Sequence, residues 1–243
     1  MEHLCDLLFE LSSGERMNIV MSLLQERLKL SHISQKLDLT VTEASRHLQR
    51  LSNLQLVSKD VDGTFSPTPY GELAVSLLSG LDFISENRQY FLEHTVSNLP
   101  YWFVNRLGEL SSSTYEIDTV KVLAHCTEIF EKAEDYIWVQ SHLLFPDHVP
   151  IIEDRIKNGV DFRGIFPENF DSPVTLLPVV RTRHHVELRI LTTEKEAMTG
   201  FLHLTRKPEY SAFFSENPKF IKWCKEVYHY YWEGSKPTSI SKE

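Results

Sequence analysis

Leu4, Leu7, Leu8 and Leu11 recur at helical spacing, and Ser12, Ser13 and Gly14 interrupt the pattern before a second run of Met17, Val20, Leu23, Leu24 and Leu28. Two amphipathic helices are expected there. Ser31 can cap a short third helix reaching Leu37, and after the tight connection of Asp38, Leu39 and Thr40 a fourth runs from about Thr42 to Leu54. Helical periodicity puts Ala44, Leu48 and Leu51 on its inner face. Thr42, Ser45, Arg46, Gln49 and Asn53 share the outer face, with Arg50 at the flank. Leu56 to Lys59 and Val61 to Phe65 then read as two short strands joined by a turn in which Gly63 takes positive φ. Pro69 opens a helix expected to run unbroken from Tyr70 toward Tyr90. Its Tyr70, Ala74, Leu77, Leu81, Ile84, Arg88 and Phe91 form a heptad-like stripe that suits packing within the chain or against a second copy.

Asn98 and Pro100 end that helix, and Ser111, Ser112 and Ser113 loosen the connection to the second half of the chain. Ile117, Val120, Leu123, Ala124 and Phe130 mark an amphipathic helix, and the apolar run Tyr136 to Val139 fits a buried strand. A helix from Val149 to Lys157, closed by Asn158 and Gly159, and a strand from Val160 to Phe166 complete a strand-helix-strand unit with a parallel pair. Further strands are expected at Val186 to Leu191 and near Phe201 to Leu204. Pro218 opens a last helix with Phe220, Trp223, Cys224, Val227, Tyr228 and Tyr231 on one face. The expected fold is α+β: a winged helix-turn-helix over residues 1–75, a connecting or dimerisation helix and linker over 76–113, an α/β effector domain over 114–234 and a flexible tail over 235–243.

The chain has 243 residues, 42% of them apolar and 24% charged, which suits folded domains and excludes disordered, collagen-like and coiled-coil classes. No apolar stretch approaches a membrane span, so a cytoplasmic protein without membrane contact is expected. Cys5, Cys126 and Cys224 are far apart and odd in number, which fits reduced thiols. A net charge of −9 excludes a nonspecific coat for nucleic acid, because that binding is driven by phosphate neutralisation. Site-specific binding through one local face survives the exclusion.

The outer face of the fourth helix carries the side-chain types that read base edges: Arg for guanine, Gln or Asn for adenine, Ser and Thr for either. Thr42, Ser45, Arg46, Gln49, Arg50 and Asn53 are therefore the candidate major-groove contacts with double-stranded DNA, and Lys59 and Thr64 of the wing the phosphate contacts. A homodimer would match a two-fold operator. The alternative is a winged helix that contacts protein, its polar face incidental. In the second half Arg181, Arg183, His184, His185 and Arg189 gather cations within nine residues, and Arg163 can join them. A small anionic ligand is expected at Arg163, Arg181, Arg183, His184 and Arg189.

No catalytic site, cofactor or metal site is expected. A phosphodiesterase of the phospholipase D type needs a His nucleophile with Lys two residues on, and none of the 11 histidines has one. GxSxG, GxGxxG and phosphate-loop motifs are missing from the sequence. His142, His148, His184, His185 and His203 show no ligand spacing typical of a transition-metal site.

Thr42 to Val57, TEASRHLQRLSNLQLV, followed by DGTFSPTPYGELA, resembles the winged-helix module of ArsR-like regulators, above all the archaeal two-domain regulators related to methanogenesis and filamentation. Ser45 to Leu48 with Leu51 match the recognition helix, Asp62 and Gly63 the wing tip, and Thr68 to Gly71 the next helix. Gln55 stands where many relatives carry Gly. The second half, by Gly159, Val160 and Arg163, Val186 to Arg189 and Trp223 to Trp232, is similar to the C-terminal domain of the same regulators. The resemblance implies a phospholipase D-like architecture in a regulatory role, without the catalytic motif.

Overall fold

Thr40 begins the fourth helix with a capping box: its hydroxyl accepts from the Glu43 amide at 3.2 Å, and the Glu43 carboxylate accepts from the Thr40 amide at 2.9 Å. That reciprocal pair fixes where the helix starts. In the computed structural model, which describes residues 2–170, 179–207 and 209–237, the chain forms two units, Met1–Leu78 and Ser79–Glu243. The architecture is mixed helix and sheet.

The first unit holds α1 (Glu2–Leu11), α2 (Gly14–Gln25), β1 (Leu28–Lys29), α3 (Leu30–Lys36), α4 (Val41–Asn53), β2 (Val57–Lys59), β3 (Thr64–Pro67) and α5 (Pro69–Ser76). Helix-turn-helix, wing and closing helix come in the expected order. Ile19, Val20, Leu23, Ile33, Ala44, Leu48, Leu51 and Leu56 form its core. Leu28 and Lys29 do not end the second helix as the spacing suggested. Glu26 turns extended, and Leu28 pairs with Phe65 to make a third strand of the wing sheet, in the order β1-β3-β2. Ser31 is no cap, because α3 starts one residue earlier with Lys29 at its N-cap position and no side-chain bond there.

α4 ends in a Schellman motif. Gln55 donates to the Ser52 carbonyl and Leu56 to that of Leu51, both at 2.9 Å, with Gln55 at φ +58°. Gly71 lies so close to the Leu56 backbone that a Cβ would collide with that carbonyl, which ties α5 to the end of α4.

The single helix expected from Tyr70 toward Tyr90 is three: α5, α6 (Ser79–Glu86) and α7 (Arg88–Glu93). The side-chain amide and backbone N–H of Asn87 both take the Phe83 carbonyl, at 2.9 and 3.1 Å, and the chain turns out of helix there. Phe83 and Tyr90 are buried against Phe213, so core packing and not the heptad pattern sets the path. Residues 79–113 thus belong to the second unit's core, and the expected linker over 76–113 is replaced by a boundary at Leu78/Ser79.

The second unit continues with β4 (His94–Thr95), α8 (Tyr101–Val104), β5 (Thr114–Glu116), α9 (Thr119–Lys132), β6 (Tyr136–Gln140), α10 (Val149–Lys157), β7 (Asp161–Pro167), β8 (Val180–Arg183), β9 (Leu188–Thr192), β10 (Ala197–His203), β11 (Ala212–Ser215), α11 (Pro218–Glu233) and β12 (Lys236–Pro237). Among the described residues nine of these strands form one sheet, β12-β8-β7-β6-β9-β10-β11-β5, with β4 on β10. β6, β7 and β8 are parallel, as the strand-helix-strand unit required, and the other pairs are antiparallel. Strand alternation sorts the two faces: Trp138, Leu188, Ile190 and Phe213 pack on α11, while Ile137, Val139, Phe162, Leu191 and Phe214 pack with α9 and α10. β8 and β11 were not foreseen. Nor was β12, whose Lys236 and Pro237 pair with β8 within the expected tail, of which residues 238–243 lie outside the described residues. No helix among the described residues is long and apolar enough to cross a membrane.

Candidate nucleic-acid interface

The face of α4 opposite Ala44, Leu48 and Leu51 is exposed, and Thr42, Ser45, Arg46, Gln49 and Asn53 stand on it. Gln49 donates its side-chain amide to Asn53 Oδ1 at 2.8 Å, so the two are pre-oriented one turn apart. Ser45, Gln49 and Ser52 of α4 line an open groove whose other wall is the wing, with Ser58, Lys59 and Gly63. Ser52 and Ser58 were not singled out from sequence, and small hydroxyls carry no distinctive signal there.

Arg50 does not join this face. Its guanidinium donates to both oxygens of Glu10 on α1, at 2.8 and 2.6 Å, and lies over the Phe9 ring. That fork holds the Glu10 carboxyl below the usual carboxylate range, with Arg16 adding to the effect against burial. Thr64 is also diverted: its hydroxyl and amide both donate to Asp62 Oδ1, at 2.6 and 3.0 Å, closing an Asx turn at the wing tip. Its proton is therefore committed, and the Asp62 carboxylate beside it opposes a phosphate.

Charge is distributed unevenly over the unit. Arg16, Arg27, Lys36 and Arg50 are paired with Glu10, Asp60, Glu26 and again Glu10. Arg46, Lys59 and Lys29 have no ion pair among the described residues, and all three are exposed. Lys29 escaped sequence analysis because it was assigned to a helix end; on β1 it stands across from Thr64 in the wing sheet. His47, next to Arg46, is buried, and burial with the neighbouring Arg46 and Arg16 charges keeps its imidazole below the ordinary histidine range.

In the second unit the five residues assigned to one anion site are parted. Arg181 donates to the Trp232 carbonyl at 2.7 Å and lies 4.3 Å over its ring. Arg183 reaches the Tyr231 carbonyl, Glu187 and the Tyr231 ring. Arg163 pairs with Asp161 at 2.9 Å and covers Trp138. Two of these arginines thus satisfy the last carbonyls of α11, where cations also suit the helix dipole. His184 is exposed and lies 3.6 Å from Glu168. Arg189, one strand position from Leu188 and Ile190, faces the opposite side of the sheet and lines a cavity with His142, Arg206 and Lys207. The expected cluster is corrected: Arg163, Arg181 and Arg183 are held by Asp161, Glu187 and the Trp232 and Tyr231 carbonyls and rings, His184 lines a different cavity, and Arg189 faces the one it shares with Lys207 and Tyr210. Among the described residues no group of three His, Cys, Asp or Glu side chains is arranged to hold a metal ion.

No protein-family profile and no curated protein matches the chain. Among solved structures it is similar to TrmBL2, an archaeal chromatin protein with a novel mode of DNA binding, at 11% identity and a TM-score of 0.44 over 93% of this chain and 94% of that one. It is also similar to Nuc, a phospholipase D family member from Salmonella typhimurium, at 16% identity and a TM-score of 0.41 over 52% of this chain and 96% of that one. NucT from Helicobacter pylori matches at 11% identity and a TM-score of 0.44, over 52% of this chain and 99% of that one. At these identities and scores no residue role transfers.

Proposed function

We propose that the protein is a DNA-binding transcriptional regulator with an ArsR-like winged helix, that it acts as a homodimer, that a small anionic ligand in the second unit sets its affinity for double-stranded DNA, and that it catalyses no reaction. One observation carries the reading: Arg46 stands free on the exposed face of α4 beside Ser45 and the oriented Gln49–Asn53 pair, while four other cations of the unit are neutralised internally. A free guanidinium next to an amide on a helix after a turn is the side-chain set that reads guanine and adenine edges. Dimerisation is supported by exposed Tyr70 and Leu73 on α5 and Leu77 at its C-cap. The absence of a His with Lys two residues on supports the non-enzymatic part.

Selection of bound sequences from a random duplex pool by the full chain tests the reading. Enrichment of a two-fold motif, lost with Arg46→Ala while the melting curve is unchanged, is the expected result. No enrichment at low salt, with or without small acids, overturns it in favour of a protein-binding winged helix.

A further inference from the structure

Arg189 stands where two cavities of the second unit adjoin. The first, about 180 Å³, carries the charged or polar groups of His142, Arg206, Lys207, Glu209 and Tyr210 and is also lined by apolar side chains such as Leu188 and Phe201. The second, about 50 Å³, is mainly apolar and lined by Val122, Cys126, Phe130, Val139, Leu191 and Met198. Arg189 and Tyr210 line both.

The guanidinium is set there by backbone. Arg189 pairs in register with Gly200 on β10, and a Cβ on Gly200 would lie 2.5 Å from Arg189 Nη2. Only the missing side chain leaves room for the arginine to lie across the sheet. Nη2 donates to the Ser211 carbonyl, and Arg189 has no ion pair among the described residues. The carboxylate on the cavity wall forms no ion pair with Arg189: Glu209 Oε2 faces His94 Nε2 at 3.1 Å and His203 Nε2 at 3.8 Å, and its Oε1 accepts from the Ser211 hydroxyl. A cation taken from water without a counter-charge is costly, and burial holds the pKa of Arg189 down. Arg206 and Lys207 at the rim add two more positive charges. Against three cations, Arg189, Arg206 and Lys207, the lining of this cavity carries one carboxylate, Glu209.

The apolar lobe constrains what would carry a further anion. Cys126 is no nucleophile, since burial pushes its thiol up to about 12. Around it Val122, Phe130, Val139, Leu191 and Met198 offer dispersion contacts, while Gln140 and His148 are polar members of the same lining. We propose that this double cavity binds a small carboxylic acid with a short apolar tail, the carboxylate on the Arg189 guanidinium and the tail in the lobe beside Cys126. A planar carboxylate matches the guanidinium fork, and it adds negative charge to a lining with three cations and one carboxylate. The inference deepens the effector part of the proposed function and needs none of its DNA-binding part.

Calorimetric titration of the full chain with hexanoate, 1-hexanol, acetate and inorganic phosphate tests it. Hexanoate is expected to bind, with hexanol and acetate each about tenfold weaker or more and phosphate unable to compete. Arg189→Met abolishes binding. Because that change also removes the bond to Ser211, the exposed pair Arg206→Glu and Lys207→Glu provides a second variant, expected to weaken hexanoate about tenfold with an unchanged melting temperature. Hexanol binding as well as hexanoate, phosphate matching hexanoate, or no hexanoate binding at about 10 mM each overturns the proposal. Hexanoate binding that leaves DNA affinity unchanged supports the cavity and removes only its link to DNA.

Discussion

Arg50 grips Glu10 through two hydrogen bonds across forty residues of sequence, and so the arginine at the flank of α4 fastens α1 to the unit while Arg46, four residues earlier, stays in solvent. Two arginines one helical turn apart thus have opposite tasks. Arg46→Ala is expected to cost about 1–3 kcal/mol of specific DNA affinity and leave stability unchanged. Arg50→Ala is expected to lower the melting temperature of the first unit and leave the base preference of the folded protein intact. Binding isotherms on matched and mismatched duplexes, beside melting curves, separate the two.

The wing carries both signs of charge, with Lys59 lying over the Phe65 ring and Asp62 at the tip. Lys59→Ala is expected to reduce the slope of log K against log salt by about 0.9, as for one lost phosphate contact. Asp62→Asn keeps the acceptor for the Thr64 amide and removes the repelling charge, so affinity at low salt should rise for any duplex. A fall in affinity would place the wing away from the phosphates.

At Gln55 the backbone is left-handed, a conformation that costs a side-chain-bearing residue about 1 kcal/mol. Gln55→Gly is expected to stabilise the first unit by somewhat less than that, since glycine loses more chain entropy on folding. Gly71→Ala should destabilise it strongly, because backbone atoms of Leu56 occupy the space a Cβ needs. Chemical denaturation of the three chains reads both signs.

The arginine clamp on α11 predicts a stability effect without a binding effect. Arg181→Met is expected to cost about 1–3 kcal/mol through the lost bond to the Trp232 carbonyl and the lost ring contact, while hexanoate binding at Arg189 is retained. Loss of ligand binding with intact stability would restore the single anion cluster.

Burial holds the imidazoles of His47 and His148 below the ordinary histidine value of about 6.5. Between the folded and unfolded values the unfolded chain binds more protons, so stability rises with pH across that window and is lost as pH falls below about 6.5. His148→Gln should flatten part of the decline in melting temperature between about pH 7 and pH 5 and change little above it. An unchanged slope would mean that other groups set it.

Local pattern alone determined much of this protein. The two-faced α4, the Gly63 turn and the strand-helix-strand unit closed by Gly159 were legible because each is written in local pattern, whereas the Thr40–Glu43 capping box, local as it is, read only as a tight connection. The aromatic face of α11 was legible too, buried as its spacing required. The rest depends on partners distant in sequence. Glu10 takes Arg50 from the residues expected to contact DNA, and Asn87 with the Phe83–Phe213 packing breaks a stripe that reads as one helix. The carbonyls at the end of α11 take Arg181 and Arg183 from an apparent anion site, and β9 turns Arg189 to the other face of the sheet. A cation's type and spacing are set by sequence, but its availability depends on which acid, carbonyl or ring the fold brings within about 3–6 Å, and that distance is a property of the packed chain.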